Sequence, residues 1–228
     1  MAVYQFLTEN QLSNSAPVVA LEETSTDSIV QNNQSNSNEN IIQSLQKQYN
    51  NEEIKAILSI KNTNFRYPVA QTTNNDFYLT HDYSKNQATL GAIYADYRTE
   101  LDQSKKILIY GHSSSKTKTP FNDLENYYDE EYYQNNKYIT LETTTNTYRY
   151  EIFSVYVETS DFTYMNINFE SSQDWYLHIL KLQAKSMYAT NVSLTEEDDI
   201  LILQTCSKLS KYKNNKKKYL LIVSRRVK

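Results

Sequence analysis

The sequence predicts a mainly β domain, an eight-stranded barrel with helices at its N-terminal side and one long helix before the strand that carries the cysteine. Three observations lead there. Eight short segments rich in Ile, Val, Tyr and Thr follow residue 62. One run of helical period interrupts them late in the chain. A length of 228 residues suits one domain with a full core and a short N-terminal appendage.

The appendage comes first. Val3, Tyr4, Phe6 and Leu7 form a short apolar patch, suited to a helical turn that docks on the domain or continues a membrane-proximal helix. Positions 31–40 are then all Gln, Asn, Ser or Glu, with nothing to bury. Residues 1–40 therefore read as a membrane-proximal arm and polar spacer, and 41–228 as the folded domain. From Ile41 to Ile60, the positions Ile41, Leu45, Tyr49, Ile54, Ile57 and Leu58 recur at helical spacing, which predicts one or two amphipathic helices.

The eight predicted strands are FRYPVAQ, FYLTH, TLGAIYADY, KILIYG, KYITLET, TYRYEIFSVYVET, DDILILQTC and KYLLIVSRRV. Between the sixth and seventh, SSQDWYLHILKLQAKSMY opens with a Ser171/Asp174 capping pattern and carries Trp175, Ile179 and Leu182 on one stripe. Eight short strands with one late helix suggest a closed or nearly closed β-barrel with helical decoration.

The totals narrow the function. A net charge of -4 and a pI near 5.5 exclude a general nucleic-acid binder, which needs a basic face for phosphates. Six lysines crowd residues 208–218, read first as a solvated loop and second as a site for an anionic partner. A single cysteine, Cys206, forbids an internal disulfide. No stretch reaches 18 consecutive apolar residues, and the N-terminus lacks the pattern of a signal peptide. No metal-type Cys/His spacing and no phosphate-binding glycine loop occur, so neither a metal nor a cofactor is expected.

The chemistry concentrates at two strand ends. The chain has two glycines and three histidines, and ILIYGHSSS sets one glycine directly before a histidine. Glycine is needed where the backbone takes positive φ or where a neighbour leaves no room for a Cβ. ILILQTC ends its apolar run at Gln204-Thr205, with Cys206 just beyond, where a thiol is exposed enough to react and a nearby imidazolium favours its thiolate. His112 and Cys206, 94 residues apart, suit a Cys-His nucleophile pair, although a loop histidine and a structural cysteine explain them as well. His81 reads as a surface residue of a turn. His178 sits at the edge of the helix stripe, and packing accounts for it.

These motifs resemble a sortase, specifically class B. YGHS (110–113) and QTC (204–206) match the histidine and cysteine segments, NTNFRYPVAQTTNNDFYL (62–79) is similar to the class B opening segment, and GAIYADYR (91–98) is similar to the strand that follows. The helix at 171–188 matches the extra helix of class B, and the resemblance runs from about Ile57 to Val227. It implies a membrane-anchored extracellular transpeptidase of a Gram-positive cell, held by an N-terminal segment outside this chain. Such an enzyme cuts a sorting signal after threonine through a thioacyl intermediate and passes the acyl group to a peptidoglycan or lipid II amine. A monomer that needs no cofactor is expected.

By the resemblance, Cys206 is the nucleophile, His112 moves the proton, and Gly111 makes the turn that presents His112. Asn75, Leu79, Gln204 and Thr205 fall at substrate-groove positions, with Gln204 where class B commonly has serine. The family's arginine on the final strand is missing. The ungapped frame puts Tyr219 at that position with Lys218 before it, and Arg225 lies roughly 20 Å further along an extended strand. A tyrosine hydroxyl, a lysine or backbone N–H groups must then serve the substrate carbonyl and oxyanion. Two other readings remain open. One is a cysteine peptidase that releases its product to water, the other a catalytically weakened domain that only binds peptides or wall components.

Overall fold

The computed structural model describes residues 30–228, with side chains from Ser37 onward, so Val3, Tyr4, Phe6 and Leu7 lie outside the described residues. Helix α1 (Val30–Tyr49) leads into β1 (Ile54–Ile60), β2 (Arg66–Ala70), β3 (Tyr94–Ala95) and β4 (Lys106–Tyr110). A run of 3-10 turns (Pro120–Tyr128) and the short helix α2 (Glu130–Asn135) precede β5 (Tyr138–Thr143) and β6 (Thr147–Glu158). Helix α3 (Ser172–Ala184), β7 (Ile200–Cys206) and β8 (Tyr219–Arg226) complete the chain. The eight strands close into a barrel in the order β1-β2-β3-β4-β7-β8-β6-β5, as the sequence led us to expect. Only the β2–β3 and β4–β7 pairs are parallel.

One strand arises where a helix was expected. In Ile54–Ile60 both faces are buried: Ala56, Leu58 and Ile60 point into the barrel, and Ile54 and Ile57 pack beneath Ile42 and Leu45 of α1. A strand covered on both faces loses its alternation of two, and its apolar residues can then fall at helical spacing. Helix α1 stops where Asn50 adopts a left-handed φ of 49°, a helix-ending conformation that Asn tolerates. The helix also runs through the polar tract. Asn38 is buried there, its Nδ2 donating to Thr147 Oγ1 at 2.7 Å, so a residue read as spacer touches the barrel.

FYLTH is the converse case. It forms turns rather than a strand, because the Asn74 side chain accepts from the backbone N–H groups of Asp76 and Phe77, both at 2.9 Å, and curls the chain there. Of TLGAIYADY, only Tyr94–Ala95 pairs as a strand.

The core has two layers that share strands. Ile107, Ile109, Leu201, Leu203, Leu220 and Ile222 fill the barrel with Phe121 and Tyr127 from the 3-10 run. Leu108, Ile200, Ile202, Leu221 and Val223 face outward against Trp175, Ile179 and Leu182 of α3. That cover explains why β4, β7 and β8 read as unbroken apolar runs. Ser171 caps α3 as expected, accepting from Asp174 N at 3.1 Å.

Candidate active site

Strands β4 and β7 lie side by side and parallel, with Lys106 opposite Ile200 and Tyr110 opposite Gln204. The register offset is 94 residues (200 minus 106), the same as the spacing of Cys206 and His112 (206 minus 112). The ladder's last bond is Gly111 N to Gln204 O at 3.2 Å, after which β4 gives way to the loop carrying His112. Two neighbouring strands thus deliver an imidazole and an exposed thiol to the same end of the barrel.

The glycine before the histidine has a different cause from the one expected. Gly111 does not take positive φ. A Cβ there would sit 2.6 Å from the Phe121 ring, so the glycine exists to let Phe121 close the barrel beneath the histidine loop. The other glycine, Gly91, does have positive φ (+53°), and a Cβ would lie 2.1 Å from Tyr78 O and 2.8 Å from Leu79 O. It lets the chain just before β3 press against the Leu79 peptide. That peptide's carbonyl accepts from His112 Nε2 at 2.9 Å. Both glycines therefore serve the histidine, one from below and one from the side. The bond to Leu79 O requires the proton on Nε2 and leaves Nδ1 for exchange.

The other sequence-derived residues gather unevenly. Tyr219 is the cross-strand partner of Cys206, and Ser207 N donates to Lys218 O at 2.9 Å, so both flank the thiol. Arg225 pairs with Ile200, six positions away at the other end, bonded to Glu151 at 2.8 Å. Gln204 Oε1 accepts from the hydroxyl of buried Tyr164 at 2.7 Å. Thr205 is buried, and its Oγ1 has no hydrogen-bond partner among the described residues. The Leu79 side chain is exposed. Asn75 lies in the same loop, but its Oδ1 accepts from Tyr97 N at 3.1 Å rather than facing the histidine. His81 stacks on Phe77 with ring centroids 4.1 Å apart, away from the chemistry.

Burial pushes the Cys206 thiol above its usual range and Lys218 pulls it back. Burial, then the nearby Cys206, raises Tyr219 too, so its hydroxyl keeps a proton to donate at neutral pH.

Some supporting residues escaped sequence reading. Thr119 Oγ1 donates to His112 O at 2.5 Å, and Ser113 Oγ donates to Glu125 Oε1 at 2.6 Å. The same Glu125 oxygen holds Lys208 Nζ at 3.1 Å, tying the loop after β4 to the loop after β7. Tyr128 bonds Ser207 at 2.8 Å across the same gap. The signal was present in TPFNDLENYY, where a proline after Thr119 marks a helical start.

The sortase domain profile matches residues 58–226. The chain belongs to the sortase family. It is 33% identical over 167 residues to sortase B of Listeria monocytogenes, a match covering 73% of this chain and 68% of that one. Its fold is similar to the Staphylococcus aureus sortase B–substrate complex, with a TM-score of 0.72 and 28% identity over 82% of this chain and 84% of that one. It is also similar to a sortase B complexed with triglycine, with a TM-score of 0.75 and 27% identity over 88% and 91% of the two chains. The sortase domain and these relatives make this a cysteine transpeptidase of the sortase type. Sortases work at the cell surface; among the described residues of this one, no helix is long and apolar enough to cross a membrane.

Proposed function

We propose that this sortase cleaves a C-terminal sorting signal after its threonine and joins the upstream protein to a cell-wall amine, with Cys206 as nucleophile and His112 as proton carrier. The observation that supports it most is the shared 94-residue offset, which brings the histidine loop beside the cysteine. The thiol gives its proton to His112 Nδ1, and the sulfur attacks the threonine carbonyl carbon. The C–N bond then breaks, and the leaving amine takes the proton back from the imidazolium. An acceptor amine next loses a proton to Nδ1, attacks the thioester carbon and expels the thiolate, which is reprotonated.

The oxyanion of each step needs a donor. Tyr219, across from Cys206, supplies its hydroxyl, and Lys218 adds positive charge beside it. Asn75, Leu79 and Gln204 line the peptide groove, where Tyr164 fixes the Gln204 amide and the buried Thr205 backs the groove from beneath. The acceptor is an amine of peptidoglycan or lipid II, a class consistent with the triglycine complex of the similar sortase B. The domain acts at the extracellular face of the membrane, spaced from it by the N-terminal arm.

A second reading, a weakened domain that chiefly binds peptides, draws on Tyr219 in the arginine position and on the raised Cys206 pKa. One experiment separates the readings. A panel of threonine-containing sorting peptides is incubated with the protein, with and without triglycine, and analysed by mass spectrometry. The proposal expects a thioacyl adduct on Cys206 and a triglycine-joined product. Free acid alone, even with triglycine present, would make it a peptidase. Bound peptide without any adduct would favour the binding domain.

A further inference from the structure

Lys106 begins β4, at the end opposite His112, and is only 3% exposed. A buried ammonium ordinarily has a carboxylate partner. Lys106 has none among the described residues: its Nζ meets Asn166 O at 2.7 Å and His178 Nε2 at 2.8 Å. The formal charge that acts on it, Arg98, is instead repulsive. Burial first and Arg98 second pull its pKa down to about 7.

Beside it opens a cavity of about 360 Å³, lined among others by Arg98, Lys105, Lys106, Ser172, Phe169 and Trp175. Its lining holds three cationic side chains and no carboxylate. Asp96 offsets Arg98 at 2.6 Å, but neither Lys105 nor Lys106 has a carboxylate partner among the described residues. Glu170 and Asp174 stand near the start of α3 without lining the cavity. Lys105 Nζ lies 5.6 Å over the Trp175 ring and Lys106 Nζ 5.5 Å over Phe169, so both lysine head groups are set among aromatic faces.

We propose that this cavity binds an oxyanion, a carboxylate or phosphate group, carried on an apolar or aromatic body. The anion pairs with the exposed Lys105 ammonium, and its arrival draws a proton from solvent onto the buried Lys106 amine, while its body packs on Phe169 and Trp175. The volume exceeds that of a bare anion, which is why a body is required. The site is separate from the thiol: Lys106 pairs with Ile200, six register positions from Cys206 (206 minus 200). It does not depend on the reaction proposed above.

Trp175 lines the cavity and is the only tryptophan in the chain, so intrinsic fluorescence reads the site directly. Phenyl phosphate, benzoate and neutral benzamide are titrated into the full chain. A saturable change with one or both anions, at least about tenfold tighter than with benzamide, is expected for a charge-assisted site. The tighter of the two anions assigns phosphate or carboxylate. Lys106→Met should abolish this preference, and exposed Lys105→Gln should weaken anion binding severalfold with the fold intact. Equal binding of benzamide, or no saturable response to either anion, would overturn the proposal. If Lys106→Met does not fold, Lys105→Gln decides: unchanged anion affinity in that variant would also overturn it.

Discussion

The two ends of β4 carry basic groups in opposite surroundings. At the C-terminal end, His112 emerges among loops, half-buried, with Nε2 on a backbone carbonyl and Nδ1 unspent. At the N-terminal end, Lys106 lies under α3, with its ammonium against a carbonyl and a neutral imidazole. Burial and Lys106 hold His178 at about 3, so that imidazole carries no charge at neutral pH. One strand thus presents an imidazole where the barrel is open and a lysine amine without a carboxylate partner where a helix closes it. What surrounds each residue, rather than its type, sorts the three histidines into different roles.

The largest expected effect separates the two ends by activity. His112→Ala should lower transpeptidation by about 10²–10⁴, the usual contribution of a positioned proton carrier, and Cys206→Ala should abolish adduct formation. Lys106→Met should leave turnover within about twofold, given a strand-length separation. A steady-state assay with a sorting peptide and triglycine checks all three. Equal losses in the Lys106 and His112 variants would erase the contrast between the ends.

Next comes the position across from the thiol. Tyr219→Phe should cost about 10²–10³ in turnover, the usual effect of losing one oxyanion donor, and Tyr219→Arg should raise turnover. Arg225→Ala should leave turnover unchanged, since that guanidinium is engaged with Glu151 at the far end. Loss of turnover in the Arg225 variant, with both Tyr219 variants silent, would show that the final strand is read in the wrong register.

Stability sharpens the comparison further. Between pH 7 and about 10 the unfolded chain keeps Lys106 protonated while the folded chain does not, so stability rises with pH across that window. Above it, tyrosines such as the half-buried Tyr219 reverse the trend, because their folded pKa is raised. Denaturant titrations at pH 7 and 9 should show wild type gaining stability, and Lys106→Met gaining less. Equal slopes would mean that Lys106 is charged when folded.

The smallest effect concerns the thiol. Lys218→Ala removes the charge that lowers the Cys206 pKa, so iodoacetamide alkylation at pH 7 should slow by a fewfold. Unchanged alkylation would place Lys218 away from the sulfur.

Much of the fold was legible because β4, β7 and β8 each carry an apolar run that ends abruptly, and Cys206 and His112 stand at or just past two of those ends. The 94-residue spacing was visible too, but the parallel register that gives it meaning is a property of the closed barrel. What stayed hidden depended on distant partners. Ile54–Ile60 looked helical because α1 covers its outer face, and Gly111 looked like a turn because Phe121, ten residues on, was not yet its neighbour. Glu125 bridges two loops that the sequence separates by more than 90 residues, and nothing local marks it for that task. The Cys206–Tyr219 pairing likewise belongs to the closed barrel, because it needs β8 laid beside β7.

The bond from His112 to Leu79 has a consequence for how such an enzyme can diverge. The acceptor is a main-chain carbonyl, held in place by the Gly91 backbone, and every amino acid supplies one. The Leu79 side chain points elsewhere and is exposed. One residue therefore carries two independent traits: the atom that sets the imidazole tautomer cannot be mutated away, and the atoms that would meet a peptide can be exchanged freely. Selection for a new sorting motif could run through all common side chains at residue 79, proline aside, without reopening the question of where the His112 ring proton sits.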